Sequence, residues 1–280
     1  MNVAHRLGVC SWSLQPTSAK DLAAKLRQID VDTCQLALEP LREGRWKLGE
    51  TVEALRGAGV DARSGMMSTH GEDYSTLETI RETGGVRPTA HWARNLEIAR
   101  GDARIASELG LRLVSFHAGF LPHDRADRER AVLLERLREI VDVFAERGVN
   151  VAFETGQEDA DTLLGFLHDL ERPSAGVNFD PANMILYDMG EPVSALDKLA
   201  PHVRQVHIKD AVRTTKKGEW GSEVRAGTGD VTWDKFFATL ARHGLGVDLM
   251  IEREAGDARV ADIQAARELV KRHVTVGGKQ

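Results

Sequence analysis

Glu154, Asp180, His207 and Glu252 stand at or near the ends of four apolar runs, NVAFE, AGVNFD, VRQVHIKD and VDLMIE. Each run is apolar enough to be a buried strand, yet each finishes on a group that is costly to bury without a partner. Three carboxylates and an imidazole converging from different strands form a donor set for a hard or borderline divalent cation. The chemistry to look for is therefore that of a metal-dependent enzyme.

Eight strand-type runs recur along the chain, at 6–12, 33–38, 60–68, 111–119, 149–156, 175–180, 203–210 and 247–254. Helical patterns lie between them, among them SAKDLAAKLRQI, WARNLEIARGDARIASELG, RERAVLLERLREIVDVFAERG, ADTLLGFLHDLE and WDKFFATLARHG, and DARVADIQAARELVKRH follows the last strand. Gly110, Gly148 and Gly244 each sit just before a strand, where a helix C-terminus calls for glycine. Strict alternation of strand and helix implies a parallel sheet covered by helices. Eight such units in about 250 residues is the size of a closed α/β barrel, a single (β/α)8 TIM barrel. No GxGxxG follows the first strand and no P-loop is present, which argues against an open nucleotide-binding sheet. With no linker or composition break, residues 1–280 read as one domain. In such a barrel the C-terminal strand ends carry the active site. Here those ends hold Trp12, His70, His117, Glu154, Asp180, His207 and Glu252.

The chain has 280 residues and a net charge of −6, which argues against a general polyanion-binding surface and against nucleic acid as a partner. No run of about 20 apolar residues is present to span a membrane, and the N-terminus lacks a secretory pattern. Cys10 and Cys34, the two cysteines, both fall within apparent strands, pointing to a reducing, cytoplasmic setting.

The motifs SFHAG, VAFETG, GVNFDPANM, VRQVHIKD, GTGDVTW and MIERE follow one another between 115 and 254, with GVCSW near the N-terminus. In this order they resemble the sugar isomerase/epimerase branch of the xylose-isomerase-like TIM-barrel superfamily, which includes ketose 3-epimerases, inosose dehydratases and endonuclease IV. The resemblance implies one divalent metal ion, Mn²⁺ foremost, with Mg²⁺, Co²⁺ or Zn²⁺ as alternatives. Glu154, Asp180, His207 and Glu252 would hold it, and Glu154 and Glu252 would be the catalytic acid/base pair. It implies a keto-sugar or related polyol as substrate, and a homodimer or homotetramer as the assembly.

A cation bridging a carbonyl and a neighbouring hydroxyl stabilises the charge that develops when a proton leaves the adjacent carbon. Returning the proton to the opposite face epimerises the centre, returning it to the next carbon isomerises, and losing a β-hydroxyl dehydrates. Isomerisation or epimerisation leads, with dehydration of a keto-sugar or inosose as the alternative. Phosphodiester hydrolysis and non-catalytic sugar binding come behind.

Further positions are substrate-binding candidates, each with a plain structural alternative. Asn183 replaces a histidine found three residues after the aspartate in several epimerases and in the endonucleases; it can bond a hydroxyl but is a poor transition-metal ligand. Arg213 matches a substrate-contacting arginine of the epimerases, or faces solvent. His117 and His70 can bond sugar hydroxyls. Lys209 shares a strand face with His207 and points into the pocket or forms a supporting ion pair. Trp12 walls a sugar ring or closes the core. Asp180 could instead cap the turn at Pro181, and Glu154 or Glu252 could pair with an arginine such as Arg253. Segment 212–229, rich in glycine and charge and carrying Trp220, Glu223 and Arg225, reads as a lid or binding loop.

Overall fold

The computed structural model describes residues 4–277. Eight parallel strands form its centre: β1 (Leu7–Cys10), β2 (Thr33–Ala37), β3 (Asp61–Met66), β4 (Leu113–Phe116), β5 (Asn150–Glu154), β6 (Ala175–Phe179), β7 (Val203–Ile208) and, after two short strands, β10 (Asp248–Ile251). They close in the order β1-β10-β7-β6-β5-β4-β3-β2, so the expected (β/α)8 barrel is the observed one. Each strand lies within its predicted run and is shorter than it. The C-terminal residues of most runs have left the ladder and turn over the barrel mouth, as Ser11–Leu14 do in a single 3₁₀ turn.

The helices follow from capping and amphipathicity. Ser18 accepts from the Asp21 amide at 3.1 Å to open α1 (Ala19–Gln28), and Asp159 accepts from Thr162 at 2.8 Å to open the later helix Ala160–Leu170. Both are the side-chain caps that satisfy an otherwise orphaned helical N–H. Beyond the predicted helices, the structure adds Glu39–Arg42, Leu48–Ala58, Leu77–Thr83, Pro181–Leu186 and Pro192–Leu199. Gly110, Gly148 and Gly244 take positive φ angles of 74°, 71° and 61° at helix ends, as the sequence predicts.

Alternation along the strands divides the side chains between two environments. Phe116, Phe153, Phe179 and Val206 join the apolar layer shared with the helices; the Phe116 and Phe153 rings lie 5.6 Å apart and Phe179 meets Phe236 at 5.9 Å. The intervening residues Gln35, Ser64, Ser115, Asn178, Gln205 and His207 face the barrel axis, all fully buried. They bond to one another across it: Gln35 Nε2 donates to Ser115 Oγ at 2.7 Å, Ser64 Oγ to Gln205 Oε1 at 2.5 Å, and Gln205 Nε2 to Asn178 Oδ1 at 3.3 Å. Two register irregularities serve this network. One sets Gln35 beside Ser64 and leaves Arg63 unpaired; the other sets Asn178 beside Gln205 and leaves Arg204 unpaired. Both arginines are exposed, so each irregularity re-aims a polar side chain inward at no cost in buried charge.

The segment predicted as a loop over 212–229 is partly a hairpin. β8 (Asp210–Val212) pairs antiparallel with β9 (Ser222–Val224). Asp210, fully buried, organises its return: Oδ2 accepts from the amides of Gly227 and Gly229 at 2.8 and 3.1 Å and from Trp233 Nε1 at 3.0 Å, while Oδ1 accepts from Ala211 and Val231.

Candidate metal centre and pocket

Glu154 ends β5, Asp180 follows β6, His207 lies in β7 and Glu252 follows β10, so four strand ends deliver four side chains to one point. One potential ligand atom from each lies within 4.8 Å of the others, and all four residues are buried. His207 Nδ1 is 3.5 Å from Glu154 Oε1, 3.6 Å from Asp180 Oδ2 and 3.4 Å from Glu252 Oε2.

The partners of each carboxylate show which atoms are committed. Glu154 Oε1 accepts from Asn183 Nδ2 at 2.9 Å and Oε2 from Asn178 Nδ2 at 3.3 Å. Glu252 Oε1 accepts from the Trp12 indole at 2.7 Å and Oε2 from Lys209 Nζ at 2.8 Å. Asp180 Oδ1 caps the helix Pro181–Leu186 through the amides of Ala182 and Asn183. Its Oδ2, like His207 Nδ1, is buried with no hydrogen-bond partner. An orphaned carboxylate oxygen facing an orphaned imidazole nitrogen is costly in a protein interior. A cation between them removes that cost, so the residues fit a divalent ion.

Burial pushes the Asp180 carboxyl up to about 6. Burial also opposes ionisation of Glu252, but the Lys209 ammonium and His207 outweigh it and hold that carboxyl well below the ordinary range. Cys10 Sγ approaches His207 Nε2 at 3.6 Å, and burial pushes its thiol up to about 12, so it is no thiolate ligand at neutral pH.

Several expectations change with the geometry in view. Asp180 both caps the turn and presents its other oxygen to the cluster. Arg253 pairs with Glu223 and Asp262 at 2.6 and 2.9 Å, leaving Glu252 to Lys209 and Trp12. Trp12 meets the cluster through its indole N–H, which fixes Glu252. Asn183 bridges Glu154 and the Lys209 ammonium, 3.3 Å from its Oδ1. Lys209 is buried between Glu252 and Glu254, 2.6 Å from the latter. His117 Nε2 is 3.7 Å from Glu154 Oε1.

His70 and Arg213 are not brought to the centre. β3 ends at Met66, and Asn95 Oδ1 accepts the His70 amide at 2.7 Å; the exposed His70 ring packs edge-on against His91 instead. Arg213 is bound to the Asp188 carboxylate and, at 2.8 Å, to the Gly190 carbonyl.

Beside the cluster lies a cavity of about 300 Å³ lined by Tyr74, His117, Asn183, Leu186, Tyr187, Lys209, Trp220, Glu223 and Glu254. The Tyr187 and Trp220 rings meet at 4.7 Å and form its apolar side. Glu223 on β9 accepts the amides of Glu254 and Ala255, tying the hairpin to the chain after β10. Sequence reasoning passed over Glu254, although it shares Glu252's strand parity, and over Gln35 and Asn178, polar residues inside apolar runs.

The Xylose isomerase-like TIM barrel family model matches residues 23–273, and the chain belongs to that family. The chain is similar to a xylose isomerase domain protein from Planctomyces limnophilus, with 30% identity, a TM-score of 0.83 and coverage of 97% and 96% of the two chains. Its fold is shared by a D-allulose 3-epimerase from Methylomonas sp. (17% identity, TM-score 0.73, 97% and 99% covered). It is shared equally by the probable 3-DHS dehydratase AsbF of Bacillus anthracis (15%, 0.73, 95% and 98%). The curated protein YihM of Escherichia coli strain K12 is 28% identical over 112 residues, 39% of this chain, and the match spans about a third (34%) of that protein. No helix of the described residues is long and apolar enough to cross a membrane.

Proposed function

We propose that this chain is a divalent-metal-dependent isomerase or epimerase acting on a keto-sugar or related polyol, with Glu154 and Glu252 as its proton-transfer pair. The observation that carries this reading is the pair of orphaned buried atoms, Asp180 Oδ2 and His207 Nδ1, set among the carboxylates of Glu154 and Glu252. Glu154, Asp180, His207 and Glu252 would hold the ion, for which Mn²⁺ is the first choice. When bound, it supplies Lewis-acid stabilisation of the charge left when a proton departs from carbon beside a carbonyl.

The protein's own groups do the rest. Glu252 is kept ionised by Lys209 and is oriented by the Trp12 N–H, so it can accept a proton. Glu154 comes from the other side of the barrel, oriented by Asn178 and Asn183, and stands as the second proton carrier. His117, Asn183 and Lys209 line the cavity with groups that can bond hydroxyls, while Tyr187 and Trp220 exclude water from its apolar side. Dehydration is the second reading. The Lys209 ammonium, which lines the cavity 2.8 Å from Glu252, favours it as a proton donor for a departing β-hydroxyl. The ligand geometry disfavours a multi-metal phosphodiesterase, because neither metal-competent group among the described residues includes His70 or His117.

Two measurements test the proposal together. Elemental analysis should find about one divalent ion per chain, and the Mn²⁺-loaded enzyme should wash solvent deuterium into a C–H beside the carbonyl of some member of a ketose and inosose panel. A metal-loaded protein that exchanges none of them would overturn the proton-transfer reading. Net loss of one water from the substrate would select dehydration.

A further inference from the structure

We propose that Gln35 is a positioning residue for the metal centre, selecting the ring form of His207 that leaves Nδ1 available as a ligand. The inference rests on the reading of His207 as a ligand. Gln35 is fully buried on the barrel axis, and its Oε1 lies 2.7 Å from His207 Nε2. Its amide has one workable orientation. Nε2 is 3.2 Å from the Gly65 carbonyl, which can only accept, and 2.7 Å from Ser115 Oγ. The oxygen therefore faces the imidazole, which must present an N–H to it.

A second amide pulls the other way. Asn178 Nδ2 lies 2.9 Å from the same His207 nitrogen and would take its lone pair. Asn178 is pinned too, with its nitrogen 3.3 Å from Glu154 Oε2 and its oxygen 3.3 Å from Gln205 Nε2. One ring nitrogen is thus contested by an acceptor and a donor. A neutral imidazole carries one N–H, so the contest decides where the ligand lone pair goes. With the proton on Nε2, Nδ1 faces Glu154, Asp180 and Glu252 as a free lone pair. With Gln35 removed, Asn178 holds Nε2 and the proton moves to Nδ1, where the negative charge of three carboxylates at 3.4, 3.5 and 3.6 Å favours it and the nitrogen ceases to be a ligand.

The test is calorimetric titration of the metal-stripped full-length protein with Mn²⁺, comparing wild type, Gln35→Met and Gln35→Glu. Gln35→Met keeps the length and loses the acceptor; it should bind Mn²⁺ 10–100-fold more weakly, the usual effect of removing a group that orients a metal-bound histidine. Gln35→Glu, buried and held as the protonated acid so that its O–H replaces the amide donor toward Gly65 and Ser115, restores an acceptor oxygen to the imidazole and should recover affinity to within about threefold, an outcome that simple packing would not give. Equal affinity in Gln35→Met, or a loss that Gln35→Glu does not repair, would overturn the inference. Should Gln35→Met fail to fold, Gln35→Leu takes its place under the same criteria. A wild-type protein that takes up no Mn²⁺ would overturn the metal-centre reading itself, which keeps the two failures apart.

Discussion

Glu252 receives the Trp12 indole on one oxygen and the Lys209 ammonium on the other, so its position is set before any ligand arrives. Replacing either proton carrier should be severe. Glu154→Gln and Glu252→Gln are each expected to lower the deuterium-exchange rate at least about 100-fold, the scale of general acid–base contributions. Trp12→Phe keeps an aromatic, smaller ring and removes one charge-assisted hydrogen bond worth about 1.5–3 kcal/mol. It should lower kcat/KM by roughly 10–100-fold while leaving the far-UV spectrum unchanged. The four clustered residues were legible in the sequence because a charged or imidazole group ending an apolar run has few reasons to be there. Gln35, Asn178 and Gln205 carry the same signal in mid-strand. It went unread because a polar residue inside a strand does not say which face it takes until the barrel closes. His70 lies in a turn and Arg213 just past the end of β8, where no periodicity fixes direction, and tertiary partners (Asn95, Asp188) settled both.

The β8–β9 hairpin contributes Trp220 and Glu223 to the lining of the cavity. Asp210, three residues after His207, gathers the returning chain through Gly227, Gly229, Val231 and Trp233. Asp210→Asn preserves size but turns an amide N–H toward backbone donors, leaving a buried group unsatisfied at about 1–3 kcal/mol. Hydrogen-exchange mass spectrometry should show faster exchange over 211–231 with the barrel strands unaffected, and KM should rise more than kcat falls. The barrel itself was readable from alternation and glycine punctuation. The hairpin was not, because its strands are three residues each and their pairing is set by one buried carboxylate, a long-range effect that local pattern does not encode.

Across the whole molecule, ligation and titration should both show in stability. An ion that binds only the folded chain contributes RT ln(1 + [L]/Kd), about 2.7 kcal/mol at a hundredfold excess over Kd, so Mn²⁺ should raise Tm by several degrees and a chelator should reverse it. Glu158 is buried, no cation pairs with it among the described residues, and burial with help from the Asp159 charge pushes its carboxyl up to about 8. Its folded value thus lies above its ordinary 4.5, so the fold holds a proton that the unfolded chain releases. Stability associated with Glu158 is present in full below about pH 4.5 and is lost as pH rises toward 8. Urea midpoints of the wild type should fall between pH 6 and 8.5, and Glu158→Gln should flatten that slope. The axial network points to a trade between durability and activity. Most barrels fill this space with branched aliphatic side chains, and exchanging Ser64, Gln205 and Asn178 together for matched apolar residues removes this hydrogen-bonded chain as a unit, a change that can be neutral or stabilising for the core. The Glu154 carboxylate and the His207 imidazole would then lose the amide that aims them. A thermostable variant selected for its core alone should therefore be a worse catalyst, because in this barrel the atoms that could be made more oily are the ones that keep the site in register.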